Sequence, residues 1–137
     1  MFVLEKKGSF EAAHHLEDYA GECCKPHGHT YGVLIRIGVE DAAVADNGIA
    51  CDFKVLKESY AHFDHEYLNN IEGLPDEFRR NPTAERIAWY IGQDVMQFFR
   101  EDMDHLLSVE VSIQETETAS ATWIWTNEKI LDAAMSV

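Results

Sequence analysis

Two runs of the chain have an apolar residue at every second position. In residues 30–40, every second position is apolar, and the same holds for residues 107–114. Because successive side chains of a strand point to opposite faces, each run predicts a β-strand with one buried face. The apolar positions are Tyr31, Val33, Ile35, Ile37 and Val39 in the first run, and Leu107, Val109, Val111 and Ile113 in the second.

The remaining segments add two strands and two helices. Residues 2–14 and 122–125 have the composition of strands. Asp52 is a suitable N-cap for a helix that begins at Phe53, and a second helix with an apolar stripe follows residues 81–83. The order ββααββ predicts an α+β fold, a four-stranded antiparallel sheet with two helices on one face. Residues 1–137 form one predicted domain, and residues 126–137 a short helical tail.

The charge balance excludes two classes of partner. The 137 residues carry 11 Lys and Arg against 25 Asp and Glu, a net charge of −14. Nucleic acid and anionic membrane both require positive surface, so neither is an expected partner. No stretch approaches the roughly 20 apolar residues of a membrane-spanning helix. Three cysteines, two of them adjacent, do not fit a secreted disulfide framework, and the sequence therefore predicts a cytoplasmic protein.

A histidine pair indicates a metal site. His27 and His29 flank Gly28 at the start of the second strand. Residues two apart on a strand point to the same side, so both imidazoles can bind one ion, and His14 at the end of the first strand can face them. Three histidines with an open fourth position are typical of catalytic zinc. The alternative is three polar residues in surface loops.

Cys23, four residues before His27, has three possible roles. A thiolate beside a divalent cation can act as a base or nucleophile near neutral pH. Cys23 or Cys24 could instead be a fourth ligand that closes a structural site. Either could also be a small buried side chain without chemistry, which is the interpretation favoured for Cys51.

Two acidic motifs complete the candidate site. Asp64 next to His65 is a possible proton relay, because a carboxylate supports an imidazolium ion. Glu115 shares the parity of the buried positions Val111 and Ile113, and a buried carboxylate requires a partner. It could accept two adjacent N–H donors of a pterin or guanine ring. The alternatives are a solvated helix end for Asp64 and His65, and a strand that ends before Glu115.

Taken together, these motifs resemble the 6-pyruvoyltetrahydropterin synthase family. The matching segments span most of the chain and occur in the family's order. They are residues 10–14 (FEAAH), Cys23 with His27-Gly28-His29, Asp52-Phe53, Asp64-His65 with Leu68-Asn69, residues 81–85 (NPTAE) and Glu115-Thr116. Within the family, three residues between the cysteine and the first histidine resemble the bacterial 6-carboxytetrahydropterin synthases of the queuosine (7-deazapurine) route.

The resemblance implies a T-fold that assembles by its sheet edges into trimers or hexamers, with active sites between subunits. It implies that His14, His27 and His29 hold zinc, that Cys23 accepts a proton, and that Asp64-His65 relays protons. It also implies that Glu115-Thr116 binds the pterin, with help from Thr83 and Glu85 of a neighbouring subunit. The implied substrate is 7,8-dihydroneopterin triphosphate, converted to 6-carboxytetrahydropterin with release of acetaldehyde and triphosphate.

Several alternatives stay open at the level of sequence. A pyruvoyl-type enzyme would only eliminate triphosphate. A zinc-stabilised binding module without catalysis would use Cys23 as a structural ligand, and a Cys–His hydrolase would need no metal. Cys24 could face the substrate in place of Cys23. Candidates for a basic patch that holds the triphosphate are Lys25, Lys54, Arg79 and Arg80.

Overall fold

The computed structural model describes residues 1–130, which form one sheet covered on one face by helices. The strands are β1 (Phe2–His14), β2 (His27–Val39), β3 (Glu66–Tyr67), β4 (Leu106–Thr116) and β5 (Ala119–Thr126). The helices are α1 (Phe53–Ala61), α2 (Asp76–Arg80) and α3 (Ala84–Phe98). The strand order across the sheet is β3-β1-β2-β4-β5.

Alternation determines which side of the sheet is buried. The predicted apolar positions of β2 and β4 all lie on the face that α1 and α3 cover, and every one of them is buried. Phe10 on β1 stacks on Tyr31 of β2 with ring centroids 4.9 Å apart, which extends this core to the end of the sheet. The opposite face carries polar residues such as Glu11 and Thr30, which are exposed.

Both main helices begin where the sequence predicts, and each has a side-chain N-cap. The Asp52 side chain accepts a hydrogen bond from the backbone N–H of Lys54 at the start of α1. The Thr83 side chain does the same for the N–H of Arg86 at the start of α3. These bonds satisfy backbone donors that have no partner inside the helix. The loop before α3 is held at the end of β1 by a hydrogen bond from Nδ1–H of His14 to the carbonyl oxygen of Pro82.

The structure confirms the α+β order and adds to it. The four predicted strands are antiparallel, but a fifth, β3, pairs in parallel with Ala12 and Ala13 of β1. The sheet is therefore mixed rather than purely antiparallel. The short helix α2 was also not predicted. Of the predicted tail 126–137, residues 131–137 lie outside the described residues. Among residues 1–130, no helix is long and apolar enough to span a membrane.

Candidate metal centre and its surroundings

Three histidines meet on the helix-covered face at one end of the sheet. In the register of β1 and β2, His14 pairs with His27 and Ala12 pairs with His29. All three side chains therefore project from the same face, and one nitrogen from each lies within 4.8 Å of the others. Nε2 of His14 and Nε2 of His27 are only 3.0 Å apart. The predicted triad is thus brought together by strand register alone.

Backbone carbonyls fix which nitrogen of two histidines is free. Nδ1–H of His14 donates to the carbonyl oxygen of Pro82 at 2.8 Å, and Nδ1–H of His27 donates to that of Lys25 at 2.7 Å. A carbonyl can only accept, so both Nδ1 atoms carry the proton and both neutral rings present a lone pair at Nε2. Two lone pairs that face each other at 3.0 Å repel unless a cation lies between them. This arrangement is typical of imidazoles that bind a metal.

Burial favours the neutral, metal-binding form of two histidines of the triad, His14 and His29. His14 is only 1% exposed, and desolvation lowers its pKa below the ordinary value, against the opposing effect of the Pro82 carbonyl. Burial likewise lowers the pKa of His29, while Glu115 opposes the shift. Within residues 1–130, Nε2 of His29 is the one buried side-chain nitrogen or oxygen atom without a hydrogen-bond partner. A metal ion bound by all three nitrogens would satisfy it.

The carboxylate of Glu115 lies next to two histidines of the triad, His14 and His29. Strand β4 continues past Gln114, and its pairing with β5 is irregular between Gln114 and Thr116, which leaves Glu115 as the extra residue of a bulge. Bulges often redirect a side chain next to a functional site. Oε1 of Glu115 lies 3.3 Å from Nε2 of His14 and 3.4 Å from Nε2 of His29. The alternative in which the strand ends before Glu115 is therefore wrong.

The two adjacent cysteines occupy different surroundings. Cys23 is partly buried and lines a cavity of about 390 Å³ together with His27 and His29. Cys24 is exposed and does not line this cavity. A single 3-10 turn, Glu22–Cys24, separates the two side chains, because successive residues of such a turn point in different directions. The geometry therefore favours Cys23 as the thiol next to the metal centre.

The other residues predicted to bind substrate lie near Glu115 in the same chain. Glu85, in the first turn of α3, lines a small hollow with Glu115. Thr83 uses its hydroxyl to cap α3 and directly precedes Ala84, which lines that hollow. The hydroxyl of Thr116 accepts from the N–H of Thr118 in the β4–β5 turn. A contribution of Thr83 and Glu85 to a neighbouring subunit's site stays a prediction.

The predicted proton relay lies on the opposite face of the sheet. Nδ1 of His65 is 3.0 Å from a carboxylate oxygen of Asp64, and the other oxygen of Asp64 accepts from the N–H of Glu11 at 2.9 Å. The Glu11 N–H and His65 hold the pKa of Asp64 below its ordinary value. Nε2 of His65 is 3.9 Å from the Glu11 carboxylate, which projects away from His14 by strand alternation. The His65 side chain is 78% exposed.

Two residues of the site were not predicted from the sequence. The Pro82 carbonyl orients His14, and the hydroxyl of Tyr31, which is fully buried, lies 3.2 Å from Nδ1 of the same histidine. No local pattern could have identified Pro82, because its contact depends on where α3 docks. Tyr31 did carry a signal, since a hydroxyl at a buried strand position requires a polar neighbour.

Most of the predicted basic patch is neutralised. Arg80 binds Glu17 and Asp18, and Arg79 binds Asp76. Lys25 lines the cavity of Cys23 and His27, where Nζ is 3.8 Å from an exposed carboxylate of Glu22. Such an exposed pair is weak. Of the four predicted candidates, Lys25 is thus the one placed beside the metal centre.

Comparison with known proteins identifies the family of the chain. Residues 3–124 match the model of the family described as 6-pyruvoyl tetrahydropterin synthase. A relative in Bacillus subtilis, named 6-carboxy-5,6,7,8-tetrahydropterin synthase, is 32% identical over 121 residues, which cover 86% of this chain and 82% of the relative. A Synechocystis relative with the same name is 35% identical over 98 residues, which cover 66% and 72%.

Solved structures show the same fold. The 6-pyruvoyl tetrahydropterin synthase of Caenorhabditis elegans superposes with a TM-score of 0.65 at 23% identity, covering 91% of this chain and 96% of that one. The Plasmodium vivax enzyme of the same name gives a TM-score of 0.62 at 17% identity, covering 93% and 100%. At these identities the likeness supports the T-fold and nothing finer.

Proposed function

The chain belongs to the 6-pyruvoyl tetrahydropterin synthase family, and on this premise we propose that it is a zinc-dependent 6-carboxytetrahydropterin synthase. Its substrate is 7,8-dihydroneopterin triphosphate. The products are 6-carboxy-5,6,7,8-tetrahydropterin, acetaldehyde and triphosphate, with one water consumed. The names of the Bacillus and Synechocystis relatives support this product over pyruvoyltetrahydropterin. The product belongs to queuosine and 7-deazapurine biosynthesis.

One observation carries the proposal. Three imidazoles, two of them with a free Nε2 lone pair, converge beside one thiol, Cys23, and one carboxylate, Glu115. The set is rich in nitrogen ligands, which zinc prefers over the harder cations. When bound there, zinc supplies a Lewis acid that acidifies the side-chain hydroxyls of the substrate and the adjacent C–H.

The other side chains of the site have separate roles in the proposed reaction. Glu115 accepts from the adjacent N–H donors of the amino-pyrimidinone ring, which holds the pterin in one orientation. Thr116, together with Thr83 and Glu85 of a neighbouring subunit, adds polar contacts around that ring. Cys23, as a thiolate, takes a proton from the side chain of the substrate. His65, supported by Asp64, serves the other face of the pterin.

The reaction balances without a redox cofactor. Proton transfer from the side chain to the ring reduces the dihydropterin to a tetrahydropterin, and the side chain is oxidised by the same two electrons. Triphosphate leaves with its bonding electrons. Water then adds to the carbonyl carbon attached to C6, and the bond between the two oxidised side-chain carbons breaks. The carboxylate stays on C6, and the two-carbon fragment takes up a proton and leaves as acetaldehyde.

We further propose that the enzyme is a homo-oligomer, a trimer or hexamer, with shared sites. Within one chain the predicted relay of Asp64 and His65 lies on the sheet face opposite to the triad, and assembly would bring the relay of one copy to the metal centre of another. The three cysteines are free, which fits a reducing cytoplasm.

Product analysis tests the proposal. The zinc-loaded protein is incubated with 7,8-dihydroneopterin triphosphate, and both products are identified by mass spectrometry. Acetaldehyde with 6-carboxytetrahydropterin is expected. Pyruvoyltetrahydropterin without acetaldehyde would assign the chain to the elimination reaction of the same family. Absence of turnover with zinc bound would contradict both.

Removal of the metal separates the enzyme from a zinc-stabilised binding module. The triad lies at one end of a sheet whose core is apolar and continuous, so a chelator should abolish turnover and leave the circular dichroism spectrum almost unchanged. Unfolding on chelation would favour the structural module. Full activity after chelation would favour a metal-free hydrolase.

A further inference from the structure

The carboxylate of Glu115 has an unusual set of neighbours. Its Oε1 approaches two imidazole nitrogens, Nε2 of His14 and Nε2 of His29, at 3.3 and 3.4 Å. In residues 1–130 the carboxylate makes no hydrogen bond or ion pair besides these two contacts. Its side chain is 31% exposed, so solvent reaches it from the substrate side only in part. Something other than a protein donor therefore has to stabilise this position.

The carboxylate and His14 cannot satisfy each other directly. Because Nδ1–H of His14 donates to Pro82, the neutral ring presents a lone pair to Glu115 at Nε2. A carboxylate oxygen also presents lone pairs, so the contact is repulsive in the absence of a positive charge between the two atoms. A cation shared by Glu115 and the triad would remove this repulsion.

The distances fit such a shared cation. In a tetrahedral zinc site with bonds of about 2.1 Å to nitrogen and oxygen, two ligand atoms are about 3.4 Å apart. The two contacts of Glu115 have this length, and the 3.0 Å between the imidazoles of His14 and His27 is slightly shorter. Glu85, the other acid in the same hollow, makes no ion pair with a histidine in the described residues.

We propose that Glu115 is a displaceable fourth metal ligand. In the absence of substrate its carboxylate closes the metal site. On binding, the N–H donors of the pterin draw the carboxylate away, which opens the fourth position to the side chain of the substrate. The displacement rests on the proposed pterin function, whereas ligation by Glu115 can be tested without any pterin. A site closed in this way would bind metal tightly at rest and become reactive only with substrate present.

Cobalt substitution tests the ligation directly. The visible bands of Co²⁺ report its coordination, and a sulfur-to-cobalt charge-transfer band reports a thiolate ligand. Glu115→Gln should lower the affinity for Zn²⁺, measured by competition with a chromogenic chelator, by at least about tenfold. The same change should alter the visible bands of the cobalt protein. Glu85→Gln is the matched control and should leave both unchanged.

The outcomes separate the possible roles of Glu115 and Cys23. Unchanged metal affinity and an unchanged spectrum in Glu115→Gln would overturn the proposal and leave Glu115 a pterin contact only. A charge-transfer band that disappears in Cys23→Ala would also overturn it, because Cys23 would then be the fourth ligand. If Glu115→Gln fails to fold, Glu115→Asp is used instead. It retains the negative charge, but its shorter side chain places the carboxylate farther from the triad, so the affinity for Zn²⁺ should again be lower than in the wild type.

A pterin tests the displacement. Neopterin, which lacks the triphosphate leaving group, is added to the cobalt protein, and its binding is followed by its own fluorescence. Bound neopterin should alter the visible bands of the wild-type protein, and have much less effect on those of Glu115→Gln. Bound neopterin with unchanged bands would show that the carboxylate stays on the metal. If neopterin does not bind at all, the pterin function is contradicted and the result on ligation is unaffected.

Discussion

At the scale of single residues, Cys23 and Cys24 provide a matched pair. Cys23 lines the cavity of His27 and His29, whereas Cys24 is exposed outside it. We expect Cys23→Ala to lower kcat by about a hundredfold or more, the range lost with a general base, while the zinc content stays at one ion per chain. Cys24→Ala should retain nearly full activity. Steady-state kinetics and metal analysis check both variants, and the reverse order of effects would assign the base to Cys24.

The single residues of the candidate site differ in whether they could be predicted from the sequence. His27, His29 and Glu115 were predicted from strand parity, because a period of two determines which side chains share a face, and His14 from its place at the end of the neighbouring strand. The contacts that orient them could not be found this way. The Pro82 carbonyl reaches His14 across 68 positions of sequence, and the position of His65 depends on a left-handed backbone with φ of 59°. Neither leaves a periodic signal.

At the scale of elements, α3 packs closely on β5. A Cβ added at Gly92 of α3 would lie 2.3 Å from the ring of Trp123 on β5, so the ring or the helix must move. In an open helical position, Gly→Ala normally stabilises a protein by about 0.5–1 kcal/mol. Gly92→Ala should instead lower the free energy of unfolding by about 1–3 kcal/mol, the usual cost of overpacking. Urea denaturation decides the sign, and a stabilised variant would contradict this packing.

An ion pair joins the end of β2 to the start of β4 and should respond to pH. Nδ1 of His105 lies 3.0 Å from the Glu40 carboxylate, which raises the pKa of His105 above 6.5. Asp102 adds to this shift and Lys129 opposes it. The hydrogen bond with His105 lowers the pKa of Glu40 below 4.5, and Lys129 and the N-terminus act in the same direction.

The sign of the pH effect follows from these directions. A raised histidine pKa gives stability that is present below pH 6.5 and is lost as the pH rises through the folded value. The lowered pKa of Glu40 gives stability that is lost as the pH falls below 4.5. His105→Gln should therefore lower Tm slightly at pH 6 and hardly at all at pH 8.5. Glu40→Gln should show the same pattern, and an equal effect at both pH values would exclude the ion pair as the cause.

Sequence patterns predicted long elements and missed short ones. Strands β1, β2 and β4 have 13, 13 and 11 residues, which is long enough for alternation to be recognised. Strand β3 has two residues and α2 has five, so neither completes enough periods to give a pattern. Strand β3 nevertheless matters, because it attaches the relay of Asp64 and His65 to the edge of the sheet.

At the scale of the whole molecule, the net charge of −14 opposes a triphosphate substrate. Most arginines near the site are already paired with carboxylates, as for Arg80 with Glu17 and Asp18. Long-range attraction therefore contributes little, and recognition of the proposed substrate has to come from contacts at short range, namely the candidate metal centre and Lys25 for the side chain and the proposed pterin contact Glu115 for the ring. Binding of the proposed substrate therefore depends more on these short-range contacts than on the electrostatic field of the whole molecule.

The two halves of the proposed site project from opposite faces of one sheet, and this gives a test of the assembly. Cys23→Ala and His65→Ala each inactivate one half. In a mixed oligomer with shared sites, an unmodified Cys23 of one chain can meet an unmodified His65 of another in about a quarter of the sites. Co-expression of the two inactive chains, purified through two different tags, should therefore restore a substantial part of the wild-type activity.

The control uses two residues from the same half. Cys23 and His29 line one cavity of a single chain, so a mixture of Cys23→Ala with His29→Ala contains no complete site and should stay inactive. Because all three variants change exposed or partly buried side chains at the edge of the core, assembly itself should be equal in both mixtures, which size-exclusion chromatography checks. Recovery of activity in the first mixture alone means that one active site combines Cys23 of one subunit with His65 of another. No recovery in either mixture means that the relay and the metal centre act within one chain, and that a movement of β3 has to bring them together.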